Sequence, residues 1–124
     1  MQSNYQIKKQ GMTRVLSAFN NTYKGLVWMS KYEAAFKQEL LLIMILIPLS
    51  LILGVSPLEH LALVISLLFV LFAETLNTAI ESVVDRIGFE YHQLSGLAKD
   101  LGSAAVLISF TIAIATWGVI LWNL

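Results

Sequence analysis

The sequence predicts an all-α membrane protein: an N-terminal amphipathic surface helix followed by three transmembrane helices. Three observations carry this. First, 57% of the 124 residues are apolar and only 13% are charged, far from the balance of a soluble domain. Second, three long apolar stretches, near 40–53, 61–72 and 101–122, are separated by short polar or turn-forming segments. Third, the segment before them repeats its apolar residues with helical period. Eight basic and eight acidic side chains cancel, so nothing in the overall charge favours nucleic acid, and none is expected as a partner. The chain has no Cys, which excludes disulfides and thiolate metal sites.

Residues 1–10 are polar and expected to fray. From there Met12, Val15, Leu16, Phe19, Tyr23, Leu26 and Val27 share one helical face, with Arg14, Ser17, Asn20, Asn21 and Lys24 on others. This predicts a surface helix over 12–29, of the basic amphipathic kind that lies in a membrane interface. Lys31, Glu33, Lys37 and Glu39 follow, with Glu33 and Lys37 spaced as helical partners. The uncharged run 40–53 would reach only about 21 Å, short of a hydrocarbon core of about 30 Å. The first span is therefore placed at 33–53, with Lys37 extending its ammonium to the headgroups. The turn Gly54-Val55-Ser56-Pro57 leads into a second span, 58–86, long enough at roughly 40 Å to cross and project beyond the bilayer. Gly88 breaks that helix and Ser95 is a candidate cap for the third span, 96–122. Its Gly102, Ser103, Ala104 and Ala105 allow close helix approach, and Trp117 and Trp122 suit the outer interface. All of this reads as one domain, 1–124. The first apolar run lies too far from Met1 for a signal peptide. Lys and Arg gather before the first span and in the 86–99 connection, and are absent from the 54–60 turn and the C-terminus. That bias predicts a cytoplasmic N-terminus and an external C-terminus.

The most informative stretch closes the second span. Glu74, Asn77, Thr78, Glu81 and Asp85 recur at one helical face without a Gly or Pro to end the helix. Ionisable groups near hydrocarbon are costly, and they mark function when they persist there. Counted from Pro57, Glu74 lies about 25 Å along, near the far interface. Glu33, Glu39, Glu90, His92, Lys99 and Asp100 fall at the same level. Oxygen ligands without thiols suit Mg2+, and a lysine beside carboxylates suits a metal-bound phosphate. Neither a GxxxxGK[ST] loop nor the protein-kinase motif set is present. Residue chemistry alone thus reaches an interfacial site for a divalent cation, with phosphoryl transfer as one reading. A small proton-coupled transporter is another, although it would place its carboxylates nearer the bilayer midplane.

The runs Glu74-Thr75-Leu76-Asn77-Thr78-Ala79-Ile80-Glu81-Ser82-Val83-Val84-Asp85-Arg86-Ile87-Gly88, Glu90-Tyr91-His92 and Ala98-Lys99-Asp100-Leu101-Gly102-Ser103-Ala104-Ala105-Val106 closely resemble the small prokaryotic integral-membrane diacylglycerol kinases. The resemblance extends over about 13–122. It implies a bacterial inner-membrane homotrimer whose active sites form between protomers. The implied reaction is ATP-dependent phosphorylation of diacylglycerol to phosphatidate, with Mg2+ entering as MgATP. Carried over by motif, Glu74 resembles the general base, and Glu33 and Glu81 the metal ligands. Arg14, Glu33, Glu81, Glu90, Tyr91, His92, Lys99 and Asp100 match nucleotide contacts. Glu74, Ser103, Ala18, Tyr23, Val27, Ser30, Ala35 and Glu39 match positions that meet the lipid, and Asn77 one that organises the site. Leu97, Gln93 and Asn21 depart from residues common in the family. The same chemistry would serve an undecaprenol kinase, since both substrates are lipid alcohols.

Overall fold

The computed structural model describes residues 10–124, which form four α-helices: α1 (Gly11–Tyr32), α2 (Ala34–Ile52), α3 (Pro57–Ile87) and α4 (Gln93–Trp122). Residues 1–9, including Lys8 and Lys9, lie outside the described part. The chain divides into two compact units, one ending at Ala34 and the other beginning at Ala35.

The N-terminal unit is α1. Gly11 opens it at φ +62°, a backbone value that costs an L side chain energy and glycine none. Along the helix Thr22 Oγ1 donates to Ala18 O at 2.8 Å, and Ser30 Oγ to Val27 O at 2.8 Å. Trp28 and Tyr32, one turn apart, bring their rings to 5.3 Å. The apolar stripe stands open: Met12, Phe19 and Tyr23 are each about 70% exposed. The helix runs to Tyr32, beyond the expected end at residue 29. Glu33 then leaves helical geometry at φ −100°, ψ 110°, its N–H still held by Met29 O at 3.0 Å. The helical spacing assumed between Glu33 and Lys37 is therefore interrupted at Glu33 itself.

The second unit holds three helices long and apolar enough to cross a membrane. At 1.5 Å per residue α2 spans about 28 Å, α3 about 46 Å and α4 about 45 Å. α2 continues through Pro48, a tolerance common in spans whose neighbours satisfy the freed carbonyls. Ser56 caps α3, its Oγ accepting from Glu59 N at 3.2 Å, with Pro57 in the first turn. Pre-set φ and a first-turn acid both favour a helix start there. At the other end of α3, Gly88 N–H reaches Val84 O at 3.3 Å. α4 starts before the expected Ser95. The cap is His92, whose Nδ1 accepts from Leu94 N at 3.1 Å. Imidazole nitrogen supplies the acceptor that Ser, Thr, Asp or Asn ordinarily provides.

α3 and α4 pack as a close antiparallel hairpin. Leu63, Ser66, Val70 and Ala73 are among the buried residues of α3, and Gly102, Ser109 and Ala113 are those of α4. The hydroxyls of Ser66 and Ser109 return to their own helices, to Leu63 O at 2.7 Å and Val106 O at 2.6 Å. They serve as small spacers whose polarity is already satisfied. The approach is close at Gly102, where a Cβ would run into the Asn77 side-chain oxygen. α2 is tied to α3 at the opposite end of the unit. Ser50 Oγ gives its proton to Ile47 O at 2.6 Å and meets His60 Nδ1 at 2.8 Å, an arrangement in which the imidazole N–H is the donor.

Gly102→Ala is expected to lower the thermal midpoint in detergent by several degrees. The added methyl displaces the Asn77 amide from between the helices and breaks its bond to Glu81, an overpacking cost of about 1–3 kcal/mol against the roughly 1 kcal/mol that alanine gains in helix propensity. Gly118, where a Cβ meets nothing within 4 Å, is the control: Gly118→Ala should leave the midpoint unchanged or raised. Equal midpoints for the two variants would mean that the Asn77 side chain moves aside at little cost.

Candidate functional site

The polar side chains of α3 gather in its C-terminal half, where the helix emerges from its apolar stretch. Glu74 comes first. Its carboxyl is in side-chain hydrogen-bond contact with that of Glu39 on α2. Glu39 is 6% exposed, and its Oε2 has no hydrogen-bond partner. Burial of a carboxyl with an unanswered oxygen is costly, so the position invites a donor from a ligand. One turn on, Asn77 Nδ2 donates to Glu81 Oε1 at 3.3 Å. That bond orients the amide, and its Oδ1 is left buried and unpaired against Gly102. Further along, Lys99 Nζ of α4 reaches Asp85 Oδ1 at 2.7 Å, with both side chains roughly 40% exposed. Glu81 adds to the negative field at the same ammonium. Thr78 is buried at 8% exposure and belongs to the packing of α3.

Two hollows adjoin this row. An apolar groove of about 450 Å³ runs between α2, α3 and α4, lined by Glu39, Leu42, Ile43, Leu46, Leu67, Val70, Phe110, Ala113, Ile114, Trp117 and Leu121. Glu39 is its one ionisable group. The indole Nε1 of Trp117 is likewise buried without a partner. The second is a smaller recess of about 180 Å³ between the end of α3 and the start of α4. It is formed by Val84, Gly88, Phe89, Glu90, Tyr91, His92, Ser95, Gly96 and Lys99.

The sequence-predicted residues fall into groups. Glu39 pairs with Glu74, Asn77 with Glu81, and Glu90, Tyr91, His92 and Lys99 share the recess. Ala35, Asp100 and Ser103 are exposed and line neither hollow. The remaining candidates belong to the N-terminal unit. Arg14 and Ala18 lie on one face of α1 along a shallow hollow with Met12, Val15, Phe19 and Thr22. Tyr23 is exposed, Val27 and Ser30 are half-buried, and Glu33 sits just past the helix end. Sequence reasoning missed the partner of Lys99. Asp85 was the available signal, but linking residues fourteen apart required the register of the hairpin. It also missed the groove, which Trp117 helps to line.

The donors are hard oxygen ligands, suited to a hard cation. No group of three or more His, Asp or Glu able to hold a metal occurs among the described residues. Glu81, braced by Asn77, offers a single hard carboxylate. Mg2+ delivered on nucleotide phosphates needs one or two carboxylates and keeps water for the rest, so the residues fit a metal carried by its substrate rather than a resident protein cage.

Comparison with known proteins agrees with this chemistry. Residues 20–121 match the model of the family described as prokaryotic diacylglycerol kinase. The chain is 45% identical over 115 residues to a diacylglycerol kinase of Escherichia coli (strain K12), covering 91% of this chain and 93% of that one. It is 44% identical to one from Haemophilus influenzae, covering 93% and 98%, and 41% identical to one from Pseudomonas aeruginosa, covering 90% of each. The family match spans most of the chain and the identity is spread over nearly its whole length: this chain belongs to the prokaryotic diacylglycerol kinase family.

Proposed function

We propose that Glu74 is the general base of a lipid kinase, at the point where an apolar groove meets a row of polar side chains. The chain is a membrane enzyme that phosphorylates diacylglycerol, with ATP as the second substrate. The observation that carries the residue assignment is the contact of Glu74 with Glu39, which is itself part of the groove lining. An acyl chain laid in the groove brings its glycerol hydroxyl to these carboxyls while its hydrocarbon stays out of water. Glu39 Oε2 is then free to accept a hydrogen bond from the glycerol end of the lipid. Ser103, Ala18, Tyr23, Val27, Ser30 and Ala35 complete the lipid surface in this reading.

Nucleotide enters from the aqueous side, toward the recess of Glu90, Tyr91, His92 and Lys99, with Arg14 and Asp100 as further contacts. Glu33 and Glu81 would hold Mg2+, which when bound neutralises charge on the phosphates. The hydroxyl oxygen of diacylglycerol attacks the γ-phosphorus. Its O–P bond forms as the bond to the β–γ bridging oxygen breaks, and the hydroxyl proton passes to Glu74. The products are phosphatidate and ADP. Asn77 holds Glu81 in place by its amide and sets the spacing to α4 against Gly102, so the chain's main contribution is orientation.

The same reading makes the enzyme a homotrimer in the bacterial inner membrane. Its N-terminus and the α3–α4 connection are cytoplasmic, its C-terminus is external, and each site is shared between protomers. The open apolar stripe of α1 suits a helix lying in the interface or against another copy. Apart from Glu59 at the start of α3, the carboxylates gather toward the other end of the spans, which favours a kinase over a proton-coupled transporter.

The deciding measurement follows labelled phosphate from ATP into dioleoylglycerol and undecaprenol separately, with and without Mg2+. Transfer is expected to dioleoylglycerol, and preferential transfer to undecaprenol would reassign the substrate. Glu74→Gln should lose about 10²–10⁴ in turnover while equilibrium ATP binding is retained; near-normal turnover would remove Glu74 as the base. Glu81→Gln should instead raise KM for MgATP more than it lowers kcat. A variant whose only defect is in diolein KM would place Glu81 on the lipid side.

A further inference from the structure

The connection between α3 and α4 carries two aromatic side chains, Phe89 and Tyr91, that are 89% and 92% exposed. Neither ring stacks on another among the described residues, where the ring pairs are Trp28–Tyr32 and Phe69–Phe72. A phenyl ring left in water forfeits the hydrophobic gain that normally places it inside. Both rings nonetheless belong to one recess, with Gly88, His92, Gly96 and Lys99. The two glycines give it bare walls: a Cβ added at either would meet nothing within 4 Å. The recess therefore combines an aromatic rim, open space beside the backbone and the ammonium of Lys99, nearly two helical turns into α4. Those are the features that receive a flat heteroaromatic ring joined to an anionic tail.

From this we infer that Phe89 is a base-stacking residue, holding the purine ring of the nucleotide against its face while the phosphates extend toward Lys99 and Glu81. The inference rests on the nucleotide reading of the recess and adds to it a residue that neither the motif pattern nor the charge pattern marks. Stacking is tolerant of base identity because every base has a π-face, so Phe89 strengthens nucleotide binding without selecting adenine. It is a binding residue and takes no part in proton transfer. Its removal should change affinity and leave the reacting groups in place.

The test uses the full-length protein in detergent micelles containing dioleoylglycerol, with the variants Phe89→Ala and Phe89→Trp. Phe89→Ala is expected to raise KM for MgATP and for MgGTP roughly five- to tenfold. Its kcat should stay within about twofold and its dioleoylglycerol KM should not change. Phe89→Trp should match the wild type or bind more tightly. ADP and inorganic tripolyphosphate, used as competitive inhibitors against MgATP, separate the base from the phosphates. Phe89→Ala should weaken ADP and spare tripolyphosphate, which has no ring to stack. Equal weakening of both, or wild-type nucleotide constants in Phe89→Ala, would overturn the stacking assignment while leaving the recess a nucleotide site. A change confined to the dioleoylglycerol KM would overturn it in favour of a membrane-interface anchor. Failure of Lys99→Ala and His92→Ala to alter any nucleotide constant would overturn the nucleotide reading of the recess, and the stacking role with it.

Discussion

The close approach of α3 and α4 at Gly102 is the constraint on which the polar row depends. Asn77 occupies the space a side chain at residue 102 would need, so the two helices share a fixed register. That register brings Lys99 to Asp85 at 2.7 Å and holds the Asn77 amide where it donates to Glu81. Packing and chemistry are therefore one arrangement: the contact that seals the hairpin also aims a carboxylate. The Asp85–Lys99 pair itself contributes little to stability, because both groups are well exposed and such pairs are worth about 0–1 kcal/mol. Its effect is to hold a flexible ammonium beside the recess.

The second unit separates its tasks along the length of its helices. One end of α2 is tied to α3 by Ser50 and His60, and the other meets it through Glu39 and Glu74. Between those ends the helices leave an apolar groove instead of a filled core. A packed core would be more stable, since voids lose dispersion contacts. The groove is the kind of space a lipid-metabolising enzyme needs, with hydrocarbon on its walls and carboxyls at its head.

Helix number, the three long apolar spans and the all-α class were legible in the sequence, because apolar run length and the 3.6-residue period report them directly. The grouping of Glu74, Asn77 and Glu81 on one side of α3 was legible for the same reason. The start of α4 was not, because histidine is an uncommon cap and Ser95 offered a conventional one. The burial of Glu39 was not legible either. Its neighbours in sequence, Gln38 and Lys37, are polar, and only the placement of α2 against α3 reveals which side is covered. Cross-helix partners such as Asp85 and Lys99 depend on register, which one-dimensional periodicity does not contain. The roles carried over by motif assign Arg14 and Glu33 to the same chemistry as Glu81, although they belong to a separate compact unit.

The unequal lengths of the three spans have a consequence for the enzyme's surroundings. α3 and α4 are long enough to tilt or to overhang, whereas α2, at about 28 Å, nearly equals the hydrocarbon thickness of a typical bilayer. Glu39 rides on that short helix, so the depth of the carboxyl follows the membrane that α2 must match. Bilayers of longer or shorter acyl chains, and the hydrophobic mismatch they impose, would then act on the alignment of Glu39 with Glu74, and lipid composition would become a variable of the proposed site.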